Sequence, residues 1–559
     1  MSSAQLRDRP RADVLIIGGG INGLATFRDL ALQGVDVALA ERNDVVSGAS
    51  AASSHMIHGG IRYLENGEFR LVHEAVTERN ALLRTAPHYV RPLQTTIPVS
   101  STFSGLLSAP LRFLRHGGRT HVERGAVLIK IGLVIYDSFS RGGGLFGEGS
   151  VPRHTFRGRR RSHRLLPQLT PRAKYTATYW DASLHDPERL AIDVLRDGLA
   201  AGGERARAAS YTAAVGQSDG GVVLADDDGE FVFRAPVVVN ATGPWVDRTN
   251  AALGAPTRFM GGTKGSHIVL DHPELLDATG GREIFFEHAD GRIVLIYPLK
   301  GRVLVGTTDL EHDMSAPIVC TDAEVDYFFD LIGHVFPRVR VDRSHIVHRF
   351  AGVRPLPGHG DVAPGFVSRD YRIEESRLGT SRTTVLSLVG GKWTTFRASA
   401  ERLADHVLDV LGQPRRRSTR GLPIGGGAGY PTTERARHQW IGAHAGTVGF
   451  ARAARLLDRY GTVAADVIAA LGDDDRPLRT LPAYSTGELR HLARTEHVVH
   501  LDDLVHRRTS IAFTGDATPE ALAEVADVVA DELGWDAERR AAEAARAAGV
   551  AEAPDTAHA

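Results

Sequence analysis

Gly18, Gly20 and Gly23 stand in G-x-G-x-x-G spacing within ADVLIIGGGINGLATFRDLALQGVDVALAE, residues 12–41. That spacing suits the binding of a pyrophosphate. The first glycine allows a tight turn, the second lets backbone N–H groups approach the anion, and the third lets the next helix pack closely on the strand. Glu41 follows where a carboxylate can accept hydrogen bonds from an adenosine ribose. A dinucleotide is therefore expected, and the fingerprint alone leaves NAD and FAD open.

The elements around these glycines read in the order the chemistry needs. Residues 13–17 are a short apolar run suited to a buried parallel strand, Leu24, Phe27, Leu30 and Ala31 recur at helical spacing, Gly34 supplies a stop, and 35–40 form a second strand. The loop 47–65 is rich in Ser, Ala and Gly, so Ser50, Ser53 and Ser54 are read as lining the cofactor. Arg62 and Tyr63 follow Gly59 and Gly60 beside the same loop. Two later segments return to the site: the strand VVV with its turn NATG at 240–243, and VLSLVGGKWTTFRASAERLADHVLDVL at 385–411. The latter repeats the strand, glycine turn and helix of the opening and aims a second helix N-terminus at a ligand. The candidates for cofactor contact are thus Gly18, Gly20, Gly23, Glu41, Ser50, Ser53, Ser54, His58, Gly60, Ala241, Thr242, Gly243, Gly391, Lys392 and Thr394.

Composition bounds the answer. A chain of 559 residues exceeds one ordinary core, so two or three domains are expected. Its net charge of −1 gives no general attraction to nucleic acid. The single cysteine, Cys320, excludes internal disulfides and cysteine-rich metal sites, and no metal site is expected. A reducing cytosol fits best. The opening residues MSSAQLRDRP lack the apolar core of a signal peptide, and no run reaches transmembrane length, so attachment to a membrane would be peripheral.

Other stretches are read more coarsely. Residues 69–84 read as an amphipathic helix with a solvated face. Between 100 and 178, an apolar segment at 127–136 precedes the basic run RGRRRSHR at 157–164, a pairing that could hold a protein to an anionic membrane surface or simply be a core helix and a solvated loop. A second basic cluster lies at 415–420. Alternating strands are expected at 266–270, 284–287, 293–298 and 303–307, with a turn at 289–291, and a nearly all-helical region at 432–548. Two of only five lysines, Lys264 and Lys392, are read as lying in glycine-containing turns. The tail from 548 is expected to be disordered.

With these segments in hand, the sequence resembles the FAD-dependent glycerol-3-phosphate dehydrogenase family. The resembling motifs are DVLIIGGGINGLA, SSHMIHGGIRYLE, NATGPWV, KGSHIV, VGTTD, GVRPL, SRDY and GGKWTT, in that order, and ELRHLARTEHVVHLDDLVHRRT resembles the family's helical C-terminal region. The resemblance selects FAD over NAD. It implies an α/β fold with a Rossmann-like FAD-binding domain (10–99, 180–250 and 346–412) interleaved with an antiparallel-sheet substrate domain (100–179 and 251–345). An all-helical C-terminal domain (430–548) and a disordered tail (549–559) complete it.

The resemblance also implies oxidation of sn-glycerol 3-phosphate to dihydroxyacetone phosphate, with electrons passing through FAD to a membrane quinone, in a cytoplasmic protein held at the inner face of the cell membrane. His267 of KGSHIV becomes the expected base and Arg354 of GVRPL the group that stabilises the developing oxyanion. Arg62, Tyr63 and Arg369 match phosphate-binding positions, and Lys392 and Thr308 match residues between flavin and substrate, with Thr307 the less favoured neighbour. His55 departs from the family, which commonly has lysine there. Expected partners are a polyol phosphate, a quinone and an anionic membrane surface; a homodimer is compatible with the reading. The alternatives are a dehydrogenase of another polyol phosphate such as a tetritol phosphate, an oxidase using oxygen, and a non-catalytic flavin-binding module.

Overall fold

In a computed structural model of the chain, residues 3–61, 68–102, 126–140, 151–287, 293–358 and 370–552 are described. Arg62, Tyr63 and Arg369, and the turn expected at 289–291, lie outside them.

Two sheets carry the molecule. The first has six strands in the order Arg372–Arg377, Thr384–Val389, Val237–Asn240, Val14–Ile17, Val37–Ala40, Ala206–Ala209. All neighbours are parallel except the Arg372–Arg377 edge. Its four central strands are buried along their whole length, as mostly apolar strands covered on both faces are. Ile17, Ala40, Asn240 and Ser387 lie level with one another, so the turns that follow all open on one edge.

The second sheet has ten strands and is mainly antiparallel. Its path runs Leu310–Glu311, Met260–Leu270, Arg302–Gly306, Ile293–Leu299, Glu283–Glu287, Val90–Val99, Tyr175–Leu184, Met56–Ile57. Ile346–Pro357 pairs along Met260–Leu270, and Thr155–Gly158 along Tyr175–Leu184. One face packs on the helix Asp322–Val335 through Ile268, Leu270, Ile296, Val305 and Phe328. The opposite face carries Val269, Leu295, Tyr297 and Leu304 and turns toward the serine-rich loop.

Three sequence expectations are corrected here. Val90–Val99 and Ile346–Pro357, assigned to the nucleotide domain, belong to the antiparallel sheet, because their ladders run to Tyr175–Leu184 and Met260–Leu270. Lys264 lies within the strand Met260–Leu270, not in a turn. The helix Phe69–Thr85 is amphipathic as expected and buries Leu71, Val72, Val76 and Leu82; it also buries Arg79 fully, with Nη1 2.9 Å from Asp181 Oδ1. The last helix, Ala537–Glu552, continues through the start of the expected tail.

The helical C-terminal domain is tied to the rest by buried ion pairs. Both Nη atoms of Arg189 donate to Glu496 at 2.9 Å, and Arg508 reaches Asp44, with Nη2 2.8 Å from Oδ1. Such pairs, once desolvated, are strongly destabilising to break from one side, so they fix register between the domains.

Candidate active site

The opening edge of the parallel sheet is built from backbone. The helix Ile21–Gln33 begins at Gly20 with no side-chain cap, leaving its first N–H groups for a ligand or a neighbour. Ser50 Oγ takes one of them, accepting from Ile21 N at 3.1 Å. A Cβ on Gly23 would stand 2.0 Å from Gly18 O, so only glycine lets the helix lie this close to the strand. Glu41 accepts from Gly19 N at 2.6 Å and from Asn43 N at 3.0 Å, which aims its carboxylate at the turn, and burial raises its pKa.

The other expected cofactor residues gather at this edge. Ala241, Thr242 and Gly243 follow the strand Val237–Asn240, with Thr242 Oγ1 donating to Asn240 Oδ1 at 2.7 Å. Gly390 and Gly391 take positive φ angles of 92° and 103° after Thr384–Val389. A Cβ on Gly391 would meet Asn22 Nδ2 at 2.8 Å. Lys392 heads the short turn Trp393–Thr395, and Thr394 Oγ1 donates to His58 O at 3.2 Å, joining the two glycine-bearing segments. Gly60 is buried at a φ of 76°. An uncapped helix start, glycine turns at positive φ and a loop of small residues on one edge together fit a dinucleotide.

Ser50 and Ser54 lie in one loop and serve two sheets. Ser54 Oγ is 2.8 Å from Nε2 of His267, on the far sheet, while Ser53 Oγ turns back to His55 N at 3.2 Å. Gly352 makes the approach possible, since a Cβ there would stand 2.4 Å from Cβ of Ala52.

His267 is buried, stacked on Phe350 with ring centroids 4.9 Å apart and planes 13° from parallel. Its Nδ1 is buried without a hydrogen-bond partner among the described residues. Burial first, then the positive charge of Arg354, holds its pKa well below the usual histidine range, so the ring rests as a neutral imidazole. Gly306 leaves the room for this ring: a Cβ there would come within 2.2 Å of His267 Cδ2.

Arg354 lies across Gly265, where a Cβ would stand 2.3 Å from its Nη2. Asp309 Oδ1 accepts from Nη1 at 2.6 Å; Thr307 Oγ1 and Thr308 O accept from Nη2 at 2.9 and 3.0 Å. The order of the two threonines is therefore reversed from expectation. Thr308 points to the opposite side, where its hydroxyl donates to Glu324 Oε1 at 2.8 Å and accepts from Ser266 N at 2.9 Å. Thr307 is the one that faces Arg354, because successive residues of an extended chain point to opposite faces. Asp309 went unnoticed in the sequence, although the acid of VGTTD was its signal. His55 is buried at a φ of 52°, donates from Nδ1 to Leu184 O at 3.1 Å and lies against Phe513 of the helical domain. Burial lowers its pKa to about 4.

Residues 13–406 match the family model described as FAD dependent oxidoreductase, and 417–540 match the C-terminal domain of alpha-glycerophosphate oxidase. The chain is 32% identical over 558 residues to a glycerol-3-phosphate dehydrogenase of Synechocystis sp., covering 94% of each chain. It belongs to the FAD-dependent glycerol-3-phosphate dehydrogenase family. A D-erythritol 1-phosphate dehydrogenase of Brucella abortus is 31% identical, over 89% of this chain and 94% of that one. In fold the chain is similar to the glycerol-3-phosphate dehydrogenase of Bacillus halodurans complexed with FAD, with a TM-score of 0.73, 22% identity and coverage of 99% and 98%. These matches agree with the expected α/β oxidoreductase fold and helical C-terminal domain.

Proposed function

We propose that this flavoenzyme oxidises sn-glycerol 3-phosphate to dihydroxyacetone phosphate and that the electrons leave to a quinone. The observation that carries the reading is the joining of three elements at one point: a neutral His267, an Arg354 held by Asp309 and Thr307, and Ser54 of the loop whose Ser50 accepts from Ile21 N of the nucleotide helix. Bound FAD would supply the two-electron acceptor for hydride from the carbinol carbon. His267 takes the hydroxyl proton, and Arg354 stabilises the oxyanion as it develops. Arg62, Tyr63 and Arg369 are the proposed phosphate anchors, with Lys392 beside the reacting carbon. Gly18, Gly20, Gly23, Glu41, Ser50, Ser53, His58, Gly60, Ala241, Thr242, Gly243, Gly391 and Thr394 are the proposed flavin contacts.

The test is an anaerobic titration of the holoenzyme with sn-glycerol 3-phosphate, followed by flavin absorbance. Bleaching by this substrate, with none by glycerol, is expected. Specificity for a longer polyol phosphate is the second reading, favoured by the erythritol-phosphate relative; a much higher kcat/KM for a tetritol phosphate would replace the first. Substantial hydrogen peroxide during turnover would replace the quinone with oxygen.

We also propose peripheral contact with an anionic membrane. No described helix is long and apolar enough to cross a membrane. The helix Ala126–Ser140 exposes Ile131, Val134 and Ile135 on one stripe, and Arg159, Arg160 and Arg161 are exposed on the segment that packs beside it through Phe156. An exposed apolar stripe and exposed arginines suit a headgroup surface. Flotation with phosphatidylserine liposomes at low salt, lost in Ile131→Ser/Ile135→Ser, checks this; equal flotation of the variant would remove it.

A further inference from the structure

Behind the site, on the opposite face of the antiparallel sheet, one carboxylate gathers the strands that carry His267 and Arg354's partners. Glu324 lies in the first turn of the helix Asp322–Val335 and is 4% exposed. Its Oε2 accepts from Thr321 N at 2.9 Å in a capping box, an arrangement that needs no more than this. Yet Oε2 also accepts from Lys264 Nζ at 2.9 Å, and Oε1 accepts from both Ser266 Oγ and Thr308 Oγ1 at 2.8 Å. Burial pushes the carboxyl's pKa up, but the Thr321 N–H and the Lys264, Thr308 and Ser266 side chains outweigh it, holding the group below the usual carboxylate range.

Alternation along the strands gives this cluster its reach. Lys264 and Ser266 point to Glu324, while Gly265 and His267 between and after them face the site. Thr308 points to Glu324, while Thr307 and Asp309 hold Arg354. The space over Gly265 that the guanidinium occupies is thus bounded by two segments, and both are tied to the same carboxylate. A slide of the 307–309 turn against the strand would move Arg354 relative to His267.

We propose that Glu324 is a positioning residue for the oxidation, setting the spacing of Arg354 and His267 through Thr308, Ser266 and Lys264. The proposal rests on the dehydrogenase reading above. Its test uses holoenzyme carrying Glu324→Gln with Lys264→Met, which removes the buried charges together, and separately Thr308→Val, which leaves the ion pair intact and keeps the question answerable if the first variant does not fold.

The expected result is a fall in kcat of about tenfold or more in the double variant, and a smaller one in Thr308→Val, with KM changed less than about threefold, because alignment and not anchoring is lost. In an Arg354→Gln background the same substitutions should cost less than about twofold, since residues acting through one group are not additive. Hydrogen exchange of the 303–312 peptide should quicken while that of 237–243 does not. Undiminished kcat in the folded variants, or a loss that multiplies fully into the Arg354→Gln background, overturns the proposal. If the unsubstituted holoenzyme is reduced by no polyol phosphate, the dehydrogenase reading falls instead. Exchange of 303–312 alone then decides whether Glu324 holds the turn: unchanged protection refutes it.

Discussion

The edge of the parallel sheet and the inner face of the antiparallel sheet both depend on glycine, for opposite reasons. At the edge, Gly18 and Gly23 bring backbone against backbone, leaving main-chain groups to meet a ligand. On the face, Gly265 and Gly306 bring backbone against side chain, leaving room for the guanidinium of Arg354 and the ring of His267. The first arrangement binds and the second orients reacting groups. Damage to the two regions should therefore register in different quantities.

The largest effect is expected from Gly23→Ala, whose Cβ would collide with Gly18 O. The protein should purify without flavin, as read from the loss of its visible flavin absorbance. Gly306→Ala should keep its flavin yet be reduced about a hundredfold more slowly, because His267 is displaced. Equal loss of flavin in both variants would break the distinction drawn here.

A smaller and more discriminating effect concerns pH. The charge of Arg354 helps to depress the His267 pKa, so Arg354→Gln should move the acidic limb of kcat/KM upward, toward the ordinary histidine value. A limb that stays in place would detach the two residues from one another. A last effect, on stability and not on turnover, lies on the same sheet face, away from the glycines. Glu283 is fully buried, with Thr95 Oγ1 donating to it at 2.6 Å, and burial raises its pKa from 4.5 to about 8. An acid shifted upward contributes its stability below the unfolded pKa and loses it as pH rises through the folded one. Glu283→Gln should thus gain on the unsubstituted protein by about 1.4 kcal/mol for each pH unit between about 4.5 and 8, measured by denaturant unfolding. A difference independent of pH would contradict this.

How much was legible in the sequence follows from the same contrast. The opening turn could be read because strand, glycines, helix and acid are contiguous, and its parts meet in the order they are written. The face could not, because its residues come from the segments around 54, 265, 306 and 354 and meet only through antiparallel register, in which Thr263 stands beside Arg354. GGTKGSH read as a turn because glycines usually punctuate; here they are extended and clear space, which put Lys264 in the wrong element. Thr307 and Thr308 could not be ordered without knowing which face each takes. Asp309 and Glu324 carried no periodic signal, since beyond the local capping box of Thr321 and Glu324 their partners Arg354, Lys264, Ser266 and Thr308 are fixed by folding. Arg62, Tyr63 and Arg369 rest on the family resemblance.

The strand order of the parallel sheet also has a consequence for synthesis. Val14–Ile17 lies between Val37–Ala40 and Val237–Asn240, and the next neighbour, Thr384–Val389, comes later still. On a ribosome adding about 5–20 residues per second, the opening strand waits on the order of ten to forty seconds for its second partner. Through that interval the nascent chain carries an apolar strand with one edge unpaired, the form most open to association with other chains. The cofactor edge, begun by Val14–Ile17, is therefore closed only after Val237–Asn240 and Thr384–Val389 have followed.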